Sequence, residues 1–128
     1  MPAYSGINQA QLLRENKQVF AWQNETVPAS AATGSLSQAW QLERVRSVSY
    51  PWGFSVEVSF SGAPGAFEVD VMVADTDNPA NYIQFTNITQ VNSYNVGRVD
   101  VLNGFAKYVA LYLKTLTNAV TITGQITR

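Results

Sequence analysis

Residues Phe54–Val73 read FSVEVSF, then SGAPGA, then FEVDVMV, and the spacing of their apolar residues decides the fold class. Phe54, Val56, Val58 and Phe60 alternate with Ser55, Glu57 and Ser59. After the break, Phe67, Val69, Val71 and Val73 alternate with Glu68, Asp70 and Met72. A period of two turns one face apolar and the other polar, the pattern of a half-buried antiparallel strand. Pro64-Gly65 suits a turn, because proline presets φ at the first corner and glycine tolerates a positive φ at the second. The two strands are therefore expected to pair as a hairpin whose apolar face needs a second sheet over it. Glu57, Glu68 and Asp70 are expected on the solvent side.

Flanking segments continue the alternation. Residues 18–24 (QVFAWQN) predict a first strand with Phe20 and Trp22 on one face, and residues 39–50 a strand bent near Glu43-Arg44. Tyr82–Phe85 predicts a short strand, continued by Ile88–Val91 past a kink, and Val99–Val101 another. Lys107–Lys114 (KYVALYLK) is apolar on both faces, as a central strand should be, and Val120–Thr127 closes the chain with Val120, Ile122 and Ile126 inward. About eight strands at roughly 8–12-residue spacing predict one all-β antiparallel sandwich, jelly-roll or Greek-key like, over residues 17–128. Residues 1–16 read as an N-terminal arm, in which 8–16 could form a turn or two of helix. Residues 28–38 (PASAATGSLSQ) read as a loop, part of which could be a short edge strand.

Composition narrows the chemistry. The 128 residues contain no cysteine and no histidine, so there is no disulfide framework, no thiolate nucleophile and no imidazole base or ligand. Charged residues are only 13% of the chain, about half the ~25% of ordinary domains, and Ser, Thr, Asn and Gln carry the polar faces instead. Such groups cost less to desolvate than ions, which suits a surface that meets other proteins. A net charge of −1 with scattered Lys and Arg predicts no nucleic-acid partner. The N-terminus lacks the basic and apolar regions of a signal peptide, and no apolar run approaches the ~20 residues that span a bilayer. The expectation is a soluble protein made in the cytoplasm, with no membrane partner.

Three constellations could carry chemistry. Asp75 and Asp77, in the turn-rich Asp75–Asn78, are the candidate Ca²⁺ ligands, since Ca²⁺ takes oxygen donors. The segment lacks an EF-hand's glycine and terminal glutamate, and Asp and Asn favour turns for their own reasons, so no bound metal is expected. Glu57, Glu68 and Asp70 could juxtapose two carboxylates across the hairpin, as in a glycosidase, although charges on a strand's outer face more often keep it soluble and protect its edges. Three tryptophans and six tyrosines could stack on sugars, but aromatic residues more often fill cores and anchor interfaces. The candidate protein-interface residues are Tyr4, Ile7, Leu12 and Leu13 on the arm, with Trp40 and Trp52. No catalytic residue and no cofactor are expected.

The run YPWGFSVEVSFSGAPGAFEVDVMVADTDNPANYIQF, with AKYVALYLKTLTNAVTITGQITR at the end, resembles small structural proteins of tailed bacteriophages. The likeness covers Tyr50–Arg128 and rests on an F-x-V-x-V-x-F strand, a G-x-P-G-x-F turn and an E-x-D-x-x-x-A-D-T-D strand end. It implies a virion component, most similar to a jelly-roll capsid decoration (cement) protein on the outer surface of an icosahedral head. Its implied partners are the major capsid protein and further copies of itself, as homodimer or homotrimer. It implies no catalysis, cofactor or metal. The alternative is a tail, baseplate or fibre-associated protein that binds a receptor or carbohydrate.

Overall fold

The period-two segments become strands of two sheets packed face to face. The computed structural model describes residues 11–13, 17–27, 34–42, 53–101 and 106–128. Ten strands run in chain order: β1 (Gln11–Leu13), β2 (Gln18–Val27), β3 (Ser35–Leu36), β4 (Trp40–Leu42), β5 (Phe54–Phe60), β6 (Phe67–Ala74), β7 (Ile83–Ile88), β8 (Val96–Val101), β9 (Tyr108–Leu116) and β10 (Val120–Thr127). One sheet has the order β1-β4-β9-β6-β7, with β3 also on β9, and the other β2-β10-β5-β8. With β3 and β4 taken as one interrupted strand on β9, the antiparallel pairs nest: β2 with β10, β3–β4 with β9, β5 with β8, and β6 with β7. Nested pairing of first with last, inward to the middle, is a long hairpin rolled up, which is the jelly roll.

The expected hairpin does not form. β5 pairs with β10 and β8, whereas β6 pairs with β9 and β7, so residues 61–66 cross from one sheet to the other. Both apolar faces still point inward, and Phe60 meets Phe67 edge to face with ring centroids 4.9 Å apart. A second crossing, Thr117–Ala119, joins β9 to β10 and is bonded to the first. Thr117 N and Oγ1 both donate to the Ala66 carbonyl at 2.9 Å, and Asn118 donates from N to Pro64 O and from Nδ2 to Ala63 O. Gly65 has φ +69° and sits so close that a Cβ would lie 3.1 Å from both Asn118 and Thr117.

Val56, Val58, Val69, Val71, Val109, Leu111, Leu113, Ile122 and Ile126 have no exposed surface and form the core between the sheets. Fully burying one such side chain is worth ~1.5–3 kcal/mol. β9 is the central strand that its two-sided apolar pattern predicts. Its outer face also packs: Ala110 joins Ala39, Ala74 and Tyr82 in a second buried cluster, edged by Leu36, Met72 and Tyr108. Ser37, between β3 and β4, keeps this edge bonded by accepting the Leu111 N–H on its Oγ at 2.9 Å.

Three further expectations change. Gln11–Leu13 is not helical but pairs in parallel with Trp40–Leu42, so this part of the arm lies in the sheet. Phe20 and Trp22 do not share a face. Opposite them stand Gln125 and Gly124, so Ala21 is an extra residue on β2, and Trp22 is buried while Phe20 is 41% exposed. Gly124 accommodates the indole, since a Cβ there would lie 3.1 Å from Trp22 Cε3 and 2.9 Å from Leu111 Cδ1. Finally, the predicted segments Tyr82–Phe85 and Ile88–Val91 are one strand ending at Ile88, with an irregular register opposite Val71-Met72.

Candidate functional site

Two arrangements stand out: a carboxyl pair on an outer sheet face and an apolar groove at one end of the sandwich. The pair is Glu68 and Asp70, two residues apart and so on the same face of β6. Their neighbours across the strands are Thr115 and Tyr112 on β9, and Asn87 on β7 opposite Asp70. Lys114 Nζ lies 3.6 Å from Glu68 Oε2. Contrary to expectation, Asp70 does not face solvent; only 4% of it is exposed, and its Oδ1 has no hydrogen-bond partner.

Burial, and then the adjacent Glu68, push the Asp70 carboxyl up to about 7, with Lys114 opposing weakly. Glu68 moves the other way, below its ordinary value, chiefly because Asp70 donates a hydrogen bond to it and then because of Lys114. The two acids therefore hold one proton between them below neutral pH, as like charges at one site must. Glu57 is elsewhere: it lies on β5 in the opposite sheet, beside Gln125 and Arg98. The structure thus separates Glu57 from the other two carboxylates. Glu68 and Asp70 are in hydrogen-bond contact, short of the ~5 Å or more that glycosidase carboxylates leave for a substrate.

The groove lies where the two sheets part. Leu42, Phe54, Val73, Ile83, Phe85 and Val101 line about 450 Å³ of mostly apolar space, with Asp75, Thr76 and Asn81 at its polar margin. Ile83 is 66% exposed and Phe85 50%. Both belong to β7, the last strand of its sheet, against whose outer side no described strand pairs. Following β7, a turn over Asn92–Asn95 presents Tyr94 with 82% of its surface exposed. Asn92 Oδ1 accepts from Tyr94 N at 2.9 Å and Val96 N at 3.3 Å, and Asn95 takes a positive φ of 59°. The turn holds a large side chain outward on a bonded frame.

Sequence reasoning missed Ile83, Phe85 and Tyr94. The signal was present: Asn78–Gly97 contains no charged residue. Among the described residues it carries three of the five exposed large apolar side chains, the others being Leu12 and Phe20.

The predicted site residues fare unevenly. Asp75 is exposed beside the groove, whereas Asp77 is buried and accepts the Tyr82 hydroxyl at 3.2 Å. Among the described residues, no group of three or more Asp or Glu side chains could hold a metal ion. Leu13 and Trp40, expected at an interface, are buried within this chain's own core, at 0% and 7% exposure. Their strands pack inward on β9 and beside it, so their apolar area is already covered. Leu12 points outward and remains 37% exposed. Tyr4, Ile7 and Trp52 lie outside the described residues.

No family model and no curated protein match the chain. Among solved structures, the SPBc2 prophage-derived protein YomS is similar over 88% of this chain and 94% of that one, at 14% identity and a TM-score of 0.44. Neither the fold nor the role rests on so loose an overlap. Among the described residues no helix is long and apolar enough to cross a membrane.

Proposed function

We propose that this protein is a structural component of a tailed-phage particle, a capsid decoration protein that binds the outer surface of an icosahedral head and reinforces coat-protein contacts. The observation that carries the reading is the largely apolar β7 side of the sandwich, where Ile83 and Phe85 stand outward at an open groove. Exposed large apolar groups grouped on one side of a domain mark a contact surface. The resemblance of Tyr50–Arg128 to phage structural proteins supplies the biological setting. The low charge adds to it, because a surface that must be desolvated against a shell is cheaper to cover when its polar groups are amides and hydroxyls.

On this reading the chain is not an enzyme and works without cofactor, metal, nucleic acid or membrane; its partners are the major capsid protein and other copies of itself. Glu68 and Asp70 serve the fold. Co-sedimentation with expanded shells and with free coat subunits tests the proposal. Binding to shells alone, at a copy number comparable to coat protein, is the expected result. A copy number in purified virions matching one tail ring would move the protein from head to tail.

A further inference from the structure

We propose that Glu68 and Asp70 form a proton-operated latch on the edge strand β7: the proton they share keeps β7 seated on β6, and its loss lets β7 lift away. The device goes beyond the role proposed above and does not depend on it.

The geometry of the pair sets the condition. Asp70 is 4% exposed and its Oδ1 has no hydrogen-bond partner, so a carboxylate there is neither hydrated nor given a donor on that oxygen. Its neighbours compensate little. Beside it on β6 stands Glu68, itself an acid. From β9, Tyr112 lies opposite Asp70, and the half-exposed Lys114 holds its Nζ 3.6 Å from Glu68 Oε2, so its charge serves Glu68 first. β7 brings Asn87 opposite Asp70 and has no charged residue. A buried carboxyl touching a carboxylate is stable only while one of the two is protonated. Once that proton leaves, Asp70 has to reach water.

The fold decides which way the sheet gives. β9 is bonded on both sides, to β6 and to β3 and β4, and it buries Val109, Leu111 and Leu113 completely. Among the described strands β7 is bonded to β6 alone. Of its six residues only Ile88 is buried, so little apolar area holds it beyond the ladder itself. Its register with β6 slips between Val71 and Met72, next to Asp70. Asn87, facing Asp70 from β7, is exposed, and water therefore lies one strand away. Edge elements with few buried contacts are the ones that open below the free energy of global unfolding. β7 also presents Ile83 and Phe85, so its release dismantles the face they form.

The direction follows from linkage. With β7 seated the Asp70 carboxyl titrates at about 7, and in water it returns to its ordinary 3.8. The seated form binds the extra proton, so the released form gains as pH rises between those values. Residue-resolved hydrogen exchange on the full chain from pH 5 to pH 8, corrected for base catalysis, tests this. The opening equilibrium of the β7 amides should rise roughly a hundredfold over that range and level off above about 7. Amides of β5 and β10 should stay better protected than those of β7 at every pH. Asp70→Asn, which cannot ionise, should make the β7 profile nearly flat. Glu68→Gln leaves Asp70 buried without its acidic neighbour, and should move the levelling point to lower pH. A β7 profile as steep in Asp70→Asn as in the parent, or β7 amides as protected as those of β5 and β10, would overturn the inference. So would a levelling point that Glu68→Gln leaves in place. Exchange is read on the free protein, so failure of the latch and failure to bind shells are separate results.

Discussion

Replacing Asp70 by asparagine should stabilise the protein at pH 8 and have little effect near pH 4. In the fold the Asp70 carboxyl titrates at about 7 against an ordinary value of 3.8, so the native state holds a proton that the unfolded chain has released. A group with a raised value contributes stability that is whole below the unfolded value and gone once pH passes the folded one. Stability should therefore fall as pH rises from about 4 to about 7, by ~1.4 kcal/mol per unit, roughly 4 kcal/mol at the ceiling. Glu68, with its lowered value, acts oppositely: its contribution is present above its ordinary range and is lost only as pH falls into the acid. The pair is thus at its most favourable in mildly acidic solution. The substituted side-chain amide would keep an N–H for Glu68 without a second negative charge. The absence of histidine makes the assay clean, since no other side chain ordinarily titrates between pH 5 and 8. Urea unfolding at pH 5, 6, 7 and 8 should show the wild type losing roughly 3 kcal/mol across the series and the Asp70→Asn variant staying nearly level. Equal slopes for both proteins, or a wild type whose stability does not change over that range, would refute the shared-proton account.

Other perturbations test the packing. Gly97→Ala would put a Cβ 2.6 Å from Ile88 Cγ2 and 2.7 Å from the Gln90 carbonyl oxygen; because the oxygen belongs to the backbone, a loss of ~1–3 kcal/mol is expected in denaturant midpoints. Gly65→Ala combines a positive φ with contacts at 3.1 Å to the second crossing, and should cost at least ~1 kcal/mol in thermal unfolding. Ser37→Ala orphans the buried Leu111 N–H, for a loss of ~1–3 kcal/mol, with Ser37→Thr as the variant that can restore the acceptor. Leu111→Ala, in the middle of the core, should cost ~2–5 kcal/mol.

Alternation alone determined a great deal. The residues predicted inward on β5, β6, β9 and β10 are buried, save Val120 at the start of β10, which is partly covered, because a strand's side chains can point only two ways and water accepts only one set. The same pattern could not say which strands pair. A hairpin and a sheet-to-sheet crossing both bury Phe54–Phe60 and Phe67–Val73 toward one core, and Pro64-Gly65 serves either. The choice fell to distant residues, Thr117 and Asn118, which bond the first crossing to the second. Nor could local pattern separate Phe20 from Trp22, since the extra residue between them answers to Gly124, far along the chain on β10. The acids show the limit most plainly. Glu57 and Asp70 occupy equivalent outward positions in the alternation, yet Asp70 is 4% exposed and holds its proton to about pH 7. Outward means away from the core, and whether that direction leads to water depends on what the rest of the chain lays over the sheet.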